Sequence, residues 1–225
     1  MTDYTITFRK DHVMEKYLKD ALTKFGSVEI TYEENNATLL CRGVDRSVFN
    51  NTVSEAAVIR NKYAMVREVY GADFTGVLPC AFLGALLGQE LEKEIEKVKN
   101  RLPNSTHLNT NGMFLFLMAD LEYSWRTIAF LSKQLFLQCL DDEDYISLIK
   151  YFLSDAPLTD KTVVLEKDGL YYEENGEEVV CMELFDDMSE NAAFNALLKT
   201  PSGVIIPTPK DFSPSLIDLI KKLGE

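Results

Sequence analysis

Arg60 and Arg67 stand seven residues apart in a stretch of helical periodicity, so they share nearly one line of the helix with Tyr63, Ala64 and Tyr70 beside them. Two guanidinium forks so placed fit a carboxylate or phosphate through paired hydrogen bonds, and the tyrosine rings would wall the site. The plainer reading, which surface arginines usually follow, lays their stems over the core rim and pairs their heads with acids of the C-terminal segment. Other chemistry is thinly represented. His12 opens a helix beside Asp11, and His107 shares a loop with Ser105, but no Gly-x-Ser-x-Gly elbow or third orienting group accompanies them. His107 therefore reads as an exposed loop side chain. The glycine-rich phosphate loops of nucleotide-binding proteins are missing. The acidic runs 141–144 and 183–187 lack the alternating order of a calcium loop, and the first reads as a helix cap. Cys41, Cys80, Cys139 and Cys181 form no Cys-x-x-Cys pair and sit in apolar surroundings, as buried thiols do. No catalytic residue, cofactor or metal ligand is assigned.

Composition sets the frame for these residues. The chain has 225 residues, 46% hydrophobic and 26% charged, which fits a globular protein with a packed core and excludes disordered and fibrous classes. A formal charge of -13 argues against nucleic acid as partner, because phosphate contacts need clustered Lys and Arg. The charge is uneven: residues 1–140 hold 17 acids and 16 bases, residues 141–225 hold 19 and 7. Such a bias suits either a solvated face or a protein partner with a basic surface. The most apolar stretch, 77–88, falls short of the ~20 residues a membrane span needs. The first residues do not read as a leader and the free thiols fit a reducing compartment, so the expected location is the cytoplasm. Oligomeric state is not legible.

The elements that must hold these residues follow from periodicity. Residues 5–8, 28–32 and 37–41 read as strands around a helix over 13–25 that Gly26 stops, an N-terminal β-α-β-β unit. From Asp45 or Ser47 the pattern is helical: to Tyr70 with Asn50, Ser54, Asn61 and Glu68 on its polar side, from Pro79 to Leu102, from Thr110 to Gln138, and after Asp141. Gly84 and Gly88 form a Gly-x-x-x-Gly step that lets another helix backbone approach. The third of these helices, with Trp125, reads as the most buried. Beyond Pro157 come strands over 162–165, 170–172 and 179–182, joined by Asp168-Gly169 and Asn175-Gly176 turns. A helix over 191–199, an isolated strand over 203–206 and a helix over 215–223 follow. The expected fold class is α+β, a central helical bundle flanked by the N-terminal unit and a C-terminal β-meander with helix-strand-helix, divided as 1–45, 46–157 and 158–225.

Two stretches resemble a known family. Residues Leu108 to Phe114 (LNTNGMF) and Asp144 to Phe152 (DYISLIKYF) are similar to the central part of the YtxC-like proteins of spore-forming bacteria. Residues Thr162 to Tyr171 (TVVLEKDGLY), Asn195 to Leu198, Pro201 to Ile206 and Leu216 to Ile220 are similar to that family's C-terminal part, in the same order. The resemblance implies a sporulation-associated, cytoplasmic bacterial protein and supplies no active-site residues. The cysteine-rich tail of many members has no counterpart in these residues, so no thiol or metal role is carried over.

The leading functional expectation is an interaction or regulatory module rather than an enzyme, because catalytic motifs are missing and the C-terminal segment is acidic. The alternative is an enzyme or small anionic-ligand-binding protein, its pocket between helical core and C-terminal sheet, using Arg60 and Arg67 with Tyr63 or Tyr70 as a wall.

Overall fold

In the computed structural model, which describes residues 2–71, 74–154, 160–199 and 202–224, contacts divide the mixed α+β chain into two compact units. Unit 1 is Met1–Val66 with Leu91–Thr127, and unit 2 is Arg67–Glu90 with Ile128–Glu225. Neither is continuous in sequence; the division expected from periodicity is 1–45, 46–157 and 158–225. The expected boundary at 157 lies outside the described residues.

Unit 1 is built on alternation. In β1 (Tyr4–Arg9), Tyr4, Ile6 and Phe8 are buried while Thr5, Thr7 and Arg9 take the other face. Asp11 caps α1 (His12–Thr23), its Oδ1 accepting the amides of Val13 and Met14, and the Met14, Tyr17, Leu18, Ala21 and Leu22 stripe is buried. The hairpin strands β2 (Ser27–Tyr32) and β3 (Asn36–Arg42) follow, with β3 antiparallel to both β2 and β1. A fourth strand, β4 (His107–Asn109), pairs parallel with β1, giving the order β2-β3-β1-β4. The sequence expects a loop there. With only Leu108 apolar, the segment has no period to read, and its register against Thr5–Thr7 makes it a strand. Gly26 also differs from expectation: its φ is not positive, and it is needed because a Cβ there would lie 2.3 Å from the Arg42 carbonyl oxygen.

Helix α2 (Arg46–Tyr70) has Glu68 exposed and Asn50 and Asn61 half-buried on the side expected to be polar, but Ser54 there is fully buried and its hydroxyl finds no partner. Lys62 is buried too. Its Nζ donates to Glu94 Oε2 at 2.9 Å, and Glu94 Oε1 accepts from Trp125 Nε1 at 2.8 Å, so one carboxylate joins α2, α4 (Leu91–Arg101) and α6 (Ala119–Phe136). Near the surface Arg101 grips Asp120 with both Nη groups and also donates to the Leu117 carbonyl at the end of α5 (Thr110–Leu117). Arg101 and Lys97 hold the Asp120 carboxyl well below the usual carboxylate range.

Unit 2 centres on α3 (Val77–Gly88), apolar on nearly all sides and buried at ten of its twelve residues. Gly84 and Gly88 lie against α8 (Met188–Leu198) so closely that a Cβ would meet the Phe194 carbonyl oxygen at 2.2 Å and that of Leu198 at 2.6 Å. The expected close helix approach is thus present. Tyr70, Phe74, Phe82, Phe136, Tyr145 and Phe152 form an aromatic cluster beside it, in tilted and edge-on contacts that such rings favour. The remaining helices are α7 (Asp142–Ser154), whose first amides Asp141 caps, and α9 (Pro214–Gly224). A separate sheet has the order β7-β6-β5-β8, from β5 (Thr162–Glu166), β6 (Gly169–Tyr172), β7 (Glu178–Val179) and β8 (Gly203–Ile205). The strand expected to be isolated, β8, pairs parallel with β5.

Two expected helices are broken. The 79–102 helix becomes α3 and α4, because Gln89 turns extended and Glu90 takes a left-handed φ of 56°. The 110–138 helix becomes α5 and α6, interrupted at Met118, whose side chain is fully buried. It is α3 rather than α6 that is most buried: Trp125 is sunk, but Tyr123, Phe130, Leu131 and Leu135 face outward. Among the described residues no helix is long and apolar enough to cross a membrane.

Two stability outcomes follow from these contacts. Gly84→Ala must displace α8 and should cost about 1–3 kcal/mol in chemical denaturation. Gly112→Ala, with nothing within 4 Å of its Cβ, should be neutral or stabilising by about 0.5–1 kcal/mol. An unaffected Gly84→Ala protein would show that the helices do not touch there. Lys62→Met or Glu94→Gln alone should cost about 3–5 kcal/mol, because each strands a buried charge. In a double-mutant cycle the pair should cost no more than either single change; additive losses would refute the buried pairing.

Candidate functional site

The 180–186 segment of unit 2 is held by two asparagines rather than by a sheet. Asn195, buried on α8, accepts the Met182 amide at 2.9 Å and donates to the Met182 carbonyl at 3.1 Å. One turn earlier, Asn191 accepts the Phe185 amide at 3.0 Å and donates to the Phe185 carbonyl. These amides take the place of ladder hydrogen bonds, which is why the strand expected over 179–182 stops at Val179.

The clamped segment forms one wall of a groove of about 290 Å³, opposite the β5-β6 turn. Leu165, Leu170, Phe185, Ala192 and Phe212 supply apolar lining, with the half-exposed Met188 beside them. Glu166, Asp168, Glu183 and Asp186 stand in the lining with one cation, Lys167. Cys181 is half-buried in the same wall. Charge is segregated in the same sense. Unit 1 holds fourteen acids and fourteen bases, unit 2 holds twenty-two and nine, so the whole formal charge of -13 belongs to unit 2. Among the described residues no group of His, Cys, Asp and Glu is arranged to hold a metal ion.

Of the four residues of the expected anion site, two fall in each unit. Arg60, in unit 1, donates from Nε to Asp11 Oδ2, and its guanidinium lies 5.5 Å from the Tyr63 ring centroid. Arg60 faces a crevice of about 370 Å³ that Arg9, Lys10 and Asn111 also line, and that sequence reading did not assemble. Tyr63 is buried, and it is not among the residues lining that crevice. Arg67 and Tyr70 belong to unit 2. Arg67 is exposed, whereas Tyr70 is buried in the aromatic cluster with its hydroxyl 2.8 Å from Ser132 Oγ, and burial pushes its phenol upward.

His107 is exposed, on β4 rather than in a loop, with Nδ1 within 2.5 Å of Thr5 Oγ1. Ser105 Oγ bonds the backbone carbonyl and amide of His107, not its ring, so the two do not form a nucleophile and base. Comparisons with protein-family models, curated proteins and solved structures found no match for this chain.

The thiols divide by surroundings. Burial pushes the Cys41 thiol up to about 11 and that of Cys80 further, while Cys139 is raised by burial and by Asp144 and Asp141. Maleimide labelling of the native protein near pH 7, read by peptide mass, should modify Cys181 and Cys139 and spare Cys41 and Cys80 until denaturant is added. Native labelling of Cys41 or Cys80 would contradict the packing described.

Proposed function

We propose that the protein is a non-enzymatic interaction module whose acidic unit receives a basic peptide segment bearing an apolar side chain. One observation carries this reading: an apolar-lined groove with four carboxylates lies on the unit that holds all of the net charge. A Leu or similar side chain fills the groove, and Lys or Arg residues on either side meet Glu166, Asp168, Glu183 and Asp186. The groove is too small for a whole helix face, so the apolar contact is a single anchor. The likeness to the YtxC-like proteins supports a setting in a spore-forming bacterium, with cytoplasmic partners.

The test titrates the full chain into a fluorescent peptide of Lys, Arg and Leu, followed by anisotropy. Binding should weaken about tenfold between about 0.05 and about 0.5 M NaCl. Glu183→Gln with Asp186→Asn should weaken it strongly, while Glu173→Gln with Glu174→Gln, removing equal charge outside the groove, should not. Bound peptide should also protect Cys181 from maleimide. No binding, equal loss in both pairs, or equal affinity for a Glu and Leu peptide would each overturn the proposal.

A further inference from the structure

We propose that unit 1 carries a binding site for a small phosphate monoester, in the crevice at the carboxyl ends of β1 and β4. These two strands are parallel neighbours, and each runs almost directly into a helix, β1 into α1 and β4 into α5. The two connections that leave these strand ends have room between them. Here the room is a crevice of about 370 Å³.

Its side chains select the ligand. Arg9 and Lys10 come from the end of β1 and Arg60 from α2, against a single carboxylate, Asp11. The local balance is +2 in a unit whose acids and bases are equal in number. A phosphate monoester carries about -1.5 to -2 at pH 7 and matches that balance; a monocarboxylate leaves about one positive charge uncompensated. Arg60 is already oriented, because Asp11 holds its Nε and its guanidinium lies near the Tyr63 ring, so the outer Nη groups are the ones a ligand meets. Asn111, also in the lining, adds an amide donor. Met14, Phe114 and Leu115 give the crevice an apolar side for the organic part of the ester. The first amides of both helices are occupied by Asp11 and Asn109, so capture rests on side chains rather than on helix ends.

Calorimetric titration of the full chain with phenyl phosphate, benzoate and inorganic phosphate tests this, with amide NMR shifts locating the contact. Phenyl phosphate should bind at least about tenfold more tightly than benzoate, since one further charge pairing is worth roughly a factor of ten. It should shift Asn111. Arg60→Gln should weaken it about tenfold, and Lys10→Gln, at an exposed position where the ammonium lies 5.8 Å from the Tyr32 ring centroid, should weaken it measurably. Arg42→Gln, beside Glu29 and outside the crevice, and Glu183→Gln with Asp186→Asn in unit 2 should leave it unchanged. Equal affinity for phenyl phosphate and benzoate, no binding, or binding indifferent to both Arg60→Gln and Lys10→Gln would overturn the site.

Discussion

A carboxylate kept out of water by one ammonium and one indole decides where three helices of unit 1 meet. Bringing Glu94 and Lys62 into the interior costs several kcal/mol for each ion, which their attraction repays only while the geometry holds. The Trp125 N–H fills the second carboxylate oxygen, so the arrangement is satisfied from two directions and has little freedom to rotate. The consequence for α2 is directional. Arg60 stands two residues from Lys62, about 200° around the helix. With Lys62 committed to α4 and α6, Arg60 is carried to the far side, where it meets Asp11 at the end of β1.

Unit 2 solves the same problem without charge. A helix as apolar as α3 has no face to turn outward, so its position is set by closeness of fit. Gly84 and Gly88 supply the fit by letting α8 carbonyls approach to where side chains would stand. This contact is legible from a spacing of four alone, because removing two side chains from one line of a helix has few other uses. The Lys62, Glu94 and Trp125 contact is not legible. Each residue sits in an ordinary amphipathic pattern, more than thirty positions from its partner, and nothing local distinguishes a buried ion from an exposed one.

The helix breaks at Gln89–Glu90 and Met118 escape sequence reading for a related reason: helical periodicity runs on through both, and the breaks involve no glycine turn and no proline. Among site residues, Arg60 is legible from its place at the edge of the apolar side of α2. Its companions Arg9 and Lys10 are not, since they meet it only where the end of β1 comes against α2 at Asp11, some fifty positions away in sequence. The acidic lining of the groove is visible as a bias of composition. The groove itself depends on Asn191 and Asn195, four apart on α8, clamping a segment that β-propensity alone would extend as a strand.

Net charge and local charge do different work in the two units. A unit carrying -13 maintains a field that draws cationic segments from beyond contact distance and raises their encounter rate. A neutral unit has no such reach. The +2 of its crevice is felt only within about a Debye length, roughly 8–10 Å at physiological salt, so it favours anions that diffuse in and then fit. Selectivity at the proposed site must come from the directions of Arg60, Lys10 and Asn111 rather than from attraction at a distance. On the proposed reading the order is reversed in unit 2: attraction assembles cationic segments, and the apolar lining beside the segment held by the two asparagines discriminates among them.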